Sequence, residues 1–392
     1  MPTVELIAAT TLPADGLAGA LVGRVWRPDV GGPSVVVARG GGLFDISATF
    51  ATTRDLAEAT DPVAAARAAT GERLDAIDEI LANTPPDRRD PQRPWLIAPI
   101  DLQAIKASGV TFAASLIERV IEERARGERA AAESIRAEFA RRIGAELASI
   151  KPGSPAAERL KQALVEAGMW SQYLEVGIGP DAEIFTKSQP MSAVGTGADA
   201  GFHAASAWNN PEPEIVLVVN SRAAIVGATL GNDVNLRDFE GRSALLLGKA
   251  KDQNASCAIG PFLRLFDATF TLDDIHRAEV ALRVEGDDGF ALEGGSSMAA
   301  ISRDPAELVR QLFDAGRRYP DGAALFLGTM FAPVADRDAP GKGFTHKPGD
   351  VVTVSAEKLG RLVNRMRHSQ DCAPWDFGVG ALMRNLARRG LI

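Results

Sequence analysis

The sequence predicts an α+β protein in which a strand-rich C-terminal part with a mixed β-sheet follows a smaller N-terminal α/β module and a helical connecting segment. From about residue 173, short β-branched runs alternate with turns rich in Gly, Pro, Asn and Asp. Regular helices do not separate these runs, which disfavours a Rossmann-type parallel sheet. Residues 112–150, in contrast, are rich in Ala, Glu and Arg, a composition typical of helices.

The predicted N-terminal module spans residues 1–90. An Ala-rich stretch from Asp61 to Asn83 has helical character, and Pro62 would occupy its first turn, where a missing amide proton costs nothing. The polar, Pro-rich segment 84–91 predicts a boundary, behind which residues 91–392 form one larger domain. The strand candidates of the module are the apolar runs at 21–26 and 34–38.

The segment 112–150 predicts two long helices or one broken helix. Its apolar side chains recur at helical spacing, and we expect its many charges to form a solvated face rather than a binding surface. Contact between subunits is a possible use of such helices. The periodic apolar positions are Leu116, Ile117, Val120 and Ile121, and then Phe139, Ile143 and Leu147.

The C-terminal part contains six predicted strands and one clear helix among them. The helix is predicted from Pro305 to Arg318, with Asp304 as its N-cap and Pro305 at the first helical position. The strands are predicted at residues 215–219, 224–228, 268–272, 279–284, 323–327 and 350–354.

Composition restricts the class of protein. A formal net charge of −8 and a pI near 5.3 argue against nucleic acid as a partner, while a small anionic substrate stays compatible if a bound cation inverts the local field. The two cysteines, Cys257 and Cys372, match no metal or redox spacing, and Cys257 lies in an apolar run typical of a core. No apolar run approaches the roughly 18 residues of a membrane span, and the first residues do not resemble a signal peptide. We therefore expect a cytoplasmic protein without a membrane partner.

The pair Glu212 and Glu214 directly precedes an apolar run that predicts a buried strand. Side chains at positions i and i+2 of a strand point to the same face, so the two carboxylates would repel each other and would be costly to desolvate. A divalent cation removes both problems, and Mg²⁺ is commonly held by carboxylates, waters and substrate oxygens. Asp233 offers a third carboxylate. The alternative is a solvated strand end without a ligand.

These segments, with others in the same order, resemble the signature of the fumarylacetoacetate hydrolase superfamily over roughly residues 175–366. Each motif is weak alone, and together they are specific. The chain has Leu-Gly-Thr-Met at 327–330, where the family usually has Thr-Gly-Thr-Pro. The segments that carry the resemblance are 184–187, 212–219, 230–234, 237–238, Lys251, 256–261, 327–329, 347–352 and 359–364.

Within this superfamily, the chain most resembles the dehydratases of 2-keto-3-deoxy-D-arabinonate and 2-keto-3-deoxy-D-xylonate. The long N-terminal module, Glu183 just before the Phe-x-Lys motif and the segment 250–261 carry this likeness. It implies dehydration of a small anionic 2-keto sugar acid to 2,5-dioxopentanoate, through an enolate that the metal stabilises, in a homo-oligomer such as a dimer or tetramer. The alternatives are hydrolysis of an acylpyruvate or decarboxylation of oxaloacetate on the same fold, and a binding protein without turnover. The hydrolase branch uses a histidine-containing base, and no histidine stands beside Glu183.

The resemblance also assigns roles to residues. Glu212, Glu214 and Asp233 would hold Mg²⁺, which Mn²⁺ could replace. Glu183 would remove a proton and protonate the leaving hydroxyl.

Two further catalytic residues are implied, Lys251 and Thr329. Lys251 would hold the enolate oxygen, or would shuttle a proton if burial lowered its pKa, and Lys249 is the competing assignment. Lys187 and Arg237 are expected to orient the substrate carboxylate or the neighbouring acids. For Arg237 the alternative is a structural ion pair with Asp238.

Overall fold

The computed structural model describes residues 2–129, 131–132, 135, 150–331, 333, 335–340 and 342–392. Within these residues the strand-rich, mixed architecture predicted from the sequence is confirmed. The strands are β1 Leu21–Arg27, β2 Gly32–Arg39, β3 Gly42–Asp45, β4 Glu72–Ala76, β5 Trp95–Ile97, β6 Ala104–Ser108, β7 Ile184–Ser188, β8 Asp199–Phe202, β9 Asn209–Asn210, β10 Pro213–Val219, β11 Ile225–Asp233, β12 Asn235–Leu236, β13 Cys257–Leu265, β14 Glu279–Glu285, β15 Ala291–Ser297, β16 Ala323–Phe326, β17 Val351–Ala356 and β18 Gly360–His368. The α-helices are α1 Ala8–Thr11, α2 Thr53–Ala57, α3 Pro62–Ala68, α4 Ile77–Ala82, α5 Ala113–Arg124, α6 Pro155–Glu166, α7 Gln172–Ile178, α8 Arg237–Glu240, α9 Leu247–Lys251, α10 Leu272–His276, α11 Pro305–Leu312 and α12 Val379–Arg388.

A large sheet runs through both halves of the chain. Its strand order is β4-β3-β2-β1-β13-β11-β10-β16-β6-β7, with β5 paired to β1. A second sheet has the order β15-β14-β17-β18-β8. Most neighbours are antiparallel, whereas β16 and β6 pair in parallel, as do β18 and β8. The N-terminal strands enter the large sheet through the antiparallel pair β1–β13, while the predicted boundary at residue 91 stays a prediction.

The main core lies between the two sheets, and β10 shows how the sequence sets it up. Ile215 and Leu217 point into this core, while Val216 and Val218 point to the opposite face of the large sheet, as the two-residue period of a strand requires. Glu214 lies two residues before Val216 on β10 and therefore points to the same face as Val216. On β11, a Cβ at Gly231 would meet the Val216 side chain at 2.7 Å, so this position is on that same face. The face opposite the main core therefore receives the carboxylates at the ends of β10 and β11.

Several predicted elements differ from the structure in extent. The stretch Asp61–Asn83 is not one helix, because β4 separates α3 from α4 and pairs with β3. The chain after α3 passes close to β3 at Gly71, where a Cβ would lie 1.9 Å from the carbonyl oxygen of Asp45. The helix predicted to reach Arg318 ends at Leu312, although Asp304 caps it as expected by accepting from the Ala306 amide at 2.8 Å.

The run 268–272 is not a strand, because Thr271 and Asp274 form a capping box that starts α10. The first predicted helix of segment 112–150 is α5, whereas Phe139, Ile143 and Leu147 lie outside the described residues. Among the helices described here, none is both long and apolar enough to cross a lipid bilayer.

Candidate metal centre and active site

The three carboxylates predicted as metal ligands converge. Glu212, Glu214 and Asp233 each offer an oxygen within 4.8 Å of the other two, and all three side chains are buried. Antiparallel pairing of β10 with β11 places them side by side: the Asp233 amide donates to the Glu212 carbonyl at 3.0 Å, and the Glu212 amide donates to Asn232 Oδ1 at 3.0 Å. We call these three residues the carboxylate cluster.

Each carboxylate of the cluster meets a different environment. Burial alone would raise the pKa of Glu212, but Lys251 and Arg119, which donate to its two oxygens, hold that pKa at about 2. Burial raises the pKa of Glu214 well above its ordinary range, and repulsion from Asp233 and Glu212 adds to this effect. Its only donors among the described residues are neutral. These donors are the Gly328 amide at 2.6 Å and Thr329 Oγ1 at 3.2 Å.

Lys251, rather than Lys249, faces the cluster. The short helix α9 buries Lys251, whose Nζ lies 2.9 Å from Asp233 Oδ2 and also donates to Glu212. Burial would lower the pKa of Lys251, but Asp233, Glu212 and other carboxylates outweigh burial and raise it. The group is thus held as a cation, which favours oxyanion stabilisation over proton abstraction. Lys249 is exposed, with Nζ 5.3 Å from the centre of the Phe239 ring.

Lys187 is fully buried beneath the cluster. Its Nζ lies 2.8 Å from Asp233 Oδ1 and 3.3 Å from both the Val234 carbonyl and Ser256 Oγ, and it also donates to the Lys251 carbonyl. These contacts tie β7 to β11 and α9.

Arg237, the first residue of α8, is buried and paired with α5. Its Nε donates to Glu122 Oε1 at 2.6 Å, and its Nη2 donates to Glu118 Oε2 at 2.8 Å. The guanidinium stacks 4.4 Å from the Trp208 ring centre. Its ion pairs are therefore with helix α5 rather than with Asp238, whose Oδ1 accepts from Ser206 at 2.7 Å.

Glu183 shares the electrostatic environment of the cluster. Burial raises the pKa of Glu183, and attraction to Arg119 and Lys251 offsets only part of this effect. Among the residues that the structure describes, none donates a hydrogen bond to this carboxylate. The loop before it is fixed by buried Arg303, whose Nη2 donates at 2.8 Å to the carbonyls of Val176 and Gly179.

Helix α5 brings a group of charges that sequence reasoning missed. Arg119 donates to Glu212 and lies 2.7 Å from Glu122 Oε2 and 3.2 Å from Glu240 Oε2. Arg119 and Glu122 are buried, so the prediction that the charges of this segment face solvent is wrong for them. The spacing of three residues between Arg119 and Glu122 could have indicated an ion pair within α5. No neighbouring residue in the sequence indicates the contact of Arg119 with Glu212.

The donor set fits a hard divalent cation. It consists of oxygen atoms only, the ligands that Mg²⁺ prefers in proteins. Asp233 Oδ1 has no hydrogen-bond donor of acceptable geometry in the described part of the chain, despite its ion pair with Lys187. A carboxylate oxygen has two lone pairs, so this atom can ligate a metal while it stays paired with Lys187.

Within the part of the chain that the structure describes, the four histidines make their polar contacts with residues outside the carboxylate cluster. His203 accepts from the Ala205 amide, His276 contacts Asp304, His346 contacts Asp350, and His368 lies near Asp371.

Two curated enzymes are similar in sequence to part of this chain. A probable 2-keto-3-deoxyxylonate dehydratase of Haloferax volcanii is 31% identical over 199 residues, covering 51% of this chain and 65% of that protein. The 2-dehydro-3-deoxy-D-arabinonate dehydratase of Saccharolobus solfataricus is 29% identical over 185 residues, covering 47% of this chain and 58% of that protein. The match thus spans less than two thirds of either relative.

Solved structures share the fold over most of the chain. A 2-keto-3-deoxy-D-arabinonate dehydratase complexed with magnesium and 2,5-dioxopentanoate superposes with a TM-score of 0.60 at 20% identity, covering 89% of this chain and 99% of the other. A fumarylacetoacetate hydrolase from Exiguobacterium antarcticum superposes with a TM-score of 0.52 at 17% identity, with the same coverage. The sequence profile of the fumarylacetoacetate (FAA) hydrolase C-terminal family matches residues 171–367. The chain belongs to the fumarylacetoacetate hydrolase family.

Proposed function

We propose that this protein is a Mg²⁺-dependent hydro-lyase that converts a 2-keto-3-deoxy-D-pentonate, derived from D-xylonate or D-arabinonate, into 2,5-dioxopentanoate. The observation that carries the proposal is the convergence of the carboxylate cluster with cationic Lys251. The charges of Arg119 and Lys251 also act on the pKa of Glu183, whose carboxylate accepts no hydrogen bond from the residues that the structure describes. The names of both curated relatives, and the magnesium and 2,5-dioxopentanoate of the solved neighbour, support this reaction.

Glu212, Glu214 and Asp233 would hold the cation. Bound there, magnesium would supply Lewis-acid stabilisation of the negative charge that develops on the C2 oxygen of the substrate. Lys251 would donate to the same oxygen, since its raised pKa keeps it protonated. Thr329 would keep Glu214 oriented through its hydroxyl, which donates at 3.2 Å.

Glu183 would move the protons. It would take the C3 proton and give it to the C4 hydroxyl, which leaves as water, so that a C3=C4 double bond forms. Loss of a C5 proton and return of a proton to C3 would then leave an enol with a C4=C5 double bond, and protonation of C4 with loss of the C5 hydroxyl proton would give the aldehyde at C5. A raised pKa suits both directions of transfer, because the driving forces for taking and returning the proton are then better matched.

None of the histidines contacts the carboxylate cluster in the described residues, which favours this reaction over a hydrolysis that needs a histidine base. The cytoplasmic location and the homo-oligomeric state stay predictions.

The test is a substrate panel. Purified protein would be given 2-keto-3-deoxy-D-pentonate, the single compound that both D-xylonate and D-arabinonate yield, and separately an acylpyruvate and oxaloacetate, each with Mg²⁺ and with EDTA. We expect a semialdehyde only from the sugar acid and only with the metal, detected by a coupled aldehyde dehydrogenase. Cleavage of the acylpyruvate with no semialdehyde would overturn the proposal.

A further inference from the structure

The cations that the sequence suggested as partners for the substrate carboxylate are already engaged by the protein. Lys187 is fully buried and contacts Asp233, Ser256 and two backbone carbonyls. Arg237 is fully buried between two carboxylates of α5 and the Trp208 ring. A 2-keto acid at the carboxylate cluster therefore needs another cation.

Arg119 has the required position and chemistry. Its Nη1 is fixed from behind by Glu122 Oε2 at 2.7 Å and Glu240 Oε2 at 3.2 Å, while its Nη2 reaches forward to Glu212. Only 7% of the residue is exposed, so water competes little for the guanidinium. A planar guanidinium presents a donor fork that matches a carboxylate.

We propose that Arg119 binds the carboxylate of the substrate at the metal centre, while Glu122 and Glu240 hold its guanidinium in place. The inference rests on the proposed function only in that a 2-keto acid binds there. Helix α5, whose charges the sequence predicts to face solvent, would then supply the residue that recognises the acid.

The exchange of partners follows from the contacts of Glu212. Both of its carboxylate oxygens are engaged by cations, one by Arg119 and the other by Lys251. A divalent cation that takes Glu212 as a ligand would compete with both of them for its lone pairs, and in this proposal Arg119 gives way. Lys251 keeps Asp233 as its partner, and Arg119 keeps Glu122 and Glu240. Nη2 is then the donor without a partner, and an incoming carboxylate restores its charge-assisted hydrogen bond.

The experiment measures binding without turnover. Calorimetry would give the affinity of wild-type, Arg119→Gln, Arg119→Lys and Arg264→Gln proteins for Mg²⁺, and then the affinity of each Mg²⁺-loaded protein for oxalate, a planar dicarboxylate. Arg264 is the matched control, because it is equally buried and ion-paired, with Asp15 at 2.6 Å, but lies on β13 away from the cluster. Circular dichroism would show whether each variant is folded.

We expect Arg119→Gln to weaken oxalate binding by about tenfold or more, the effect of losing one charge-assisted hydrogen bond. Its Mg²⁺ affinity should be unchanged or higher, because a cation no longer competes for Glu212. Arg119→Lys, which keeps the charge but not the fork, should fall between, and it decides the matter if Arg119→Gln does not fold. Arg264→Gln should bind both ligands as wild type does.

Three outcomes would overturn the inference. The first is oxalate affinity within twofold of wild type in the Arg119 variants, and the second is Mg²⁺ affinity that falls by the same factor as oxalate affinity. The third is wild-type protein that binds Mg²⁺ but not oxalate. If Arg119 governs oxalate binding while no sugar acid is dehydrated, the inference stands and the proposed reaction fails.

Discussion

The carboxylate of Glu183 rests against the Cα of Gly109, so closely that a Cβ at position 109 would lie 1.9 Å from Glu183 Oε2. That Cβ would lie 2.6 Å from the carboxylate carbon. The Gly109 amide also donates to the Glu183 carbonyl at 3.0 Å, which fixes the two backbones relative to each other. A glycine directly after β6 thus defines where the proposed proton carrier can be.

Replacing Gly109 by alanine should move the Glu183 carboxylate without unfolding the protein. The group that must yield is the flexible end of a side chain rather than backbone. We expect kcat to fall by about tenfold or more, because proton transfer needs the carboxylate within hydrogen-bonding reach, while Mg²⁺ affinity stays unchanged. Gly380→Ala on α12 is the control, since its Cβ would meet nothing closer than 3.5 Å. Equal kcat in both variants would contradict the role of this contact.

Glu183→Gln should keep the shape of the site and lose turnover. We expect kcat to drop by about 10²–10⁴-fold, the usual contribution of a general acid–base group, with KM and Mg²⁺ binding little changed. Burial raises the pKa of Glu183, so the acidic limb of the kcat/KM profile in the wild type should lie above pH 4.5. The limb should vanish in the variant. Turnover near the wild-type rate would show that Glu183 is a loop carboxylate without a role in proton transfer.

The two lysines of α9 provide a paired test. Lys251→Met removes the buried cation that contacts Glu212 and Asp233, and we expect turnover to be lost. Lys249→Met changes an exposed side chain and should be close to neutral. Steady-state kinetics would compare them at saturating Mg²⁺. Loss of turnover in the Lys249 variant alone would reverse the assignment.

Glu214→Ala should abolish Mg²⁺-dependent turnover while the fold persists. Burial and the neighbouring carboxylates disfavour a charge on Glu214, so its loss should not destabilise the metal-free protein. A cation that binds only the folded state raises Tm by mass action, and this rise should disappear in the variant. Exposed Glu166→Gln is the control. If Mg²⁺ raised the Tm of the Glu214→Ala variant as much as that of the wild type, Glu214 would be excluded as a metal ligand.

Asp233→Ala should also abolish turnover, but with a loss of stability, because it removes the partner of fully buried Lys187. Thermal unfolding without metal would reveal the difference from Glu214→Ala. Equal Tm values for the two variants would mean that the lysine pair contributes little.

Stability should fall below pH 6.5 because of His346. Burial lowers the pKa of His346 in the folded protein, and its contact with Asp350 offsets only part of this effect. The unfolded chain then binds a proton that the folded chain resists, so stability is complete above the unfolded pKa and decreases as the pH falls below about 6.5. His346→Gln should reduce this slope. Urea unfolding at several pH values between 8 and 5 would measure it, and identical slopes would contradict the prediction.

The carboxylate cluster could be predicted because its information is local. Glu212 and Glu214 are two positions apart on a strand, and a single antiparallel pairing brings Asp233 beside them. The choice between Lys249 and Lys251 could not be made, because the packing of α9 rather than its sequence decides which side is buried.

Arg119 could not be predicted for a related reason. Charged residues on an amphipathic helix usually face water, and the partner that draws Arg119 inside, Glu212, is 93 residues away in sequence. The break of Asp61–Asn83 by β4 depends likewise on a contact between Gly71 and Asp45 that no helical period encodes.

The hydrogen bond from the Gly328 amide to Glu214 has a consequence for how the protein is made. It joins residues 114 positions apart, so this contact of the metal centre cannot form until the chain has been synthesised past β16. Closing such long loops comes at a late, entropically costly stage of folding. Binding of Mg²⁺ with native affinity would then report on refolding molecules in which the segment after β16 has reached Glu214.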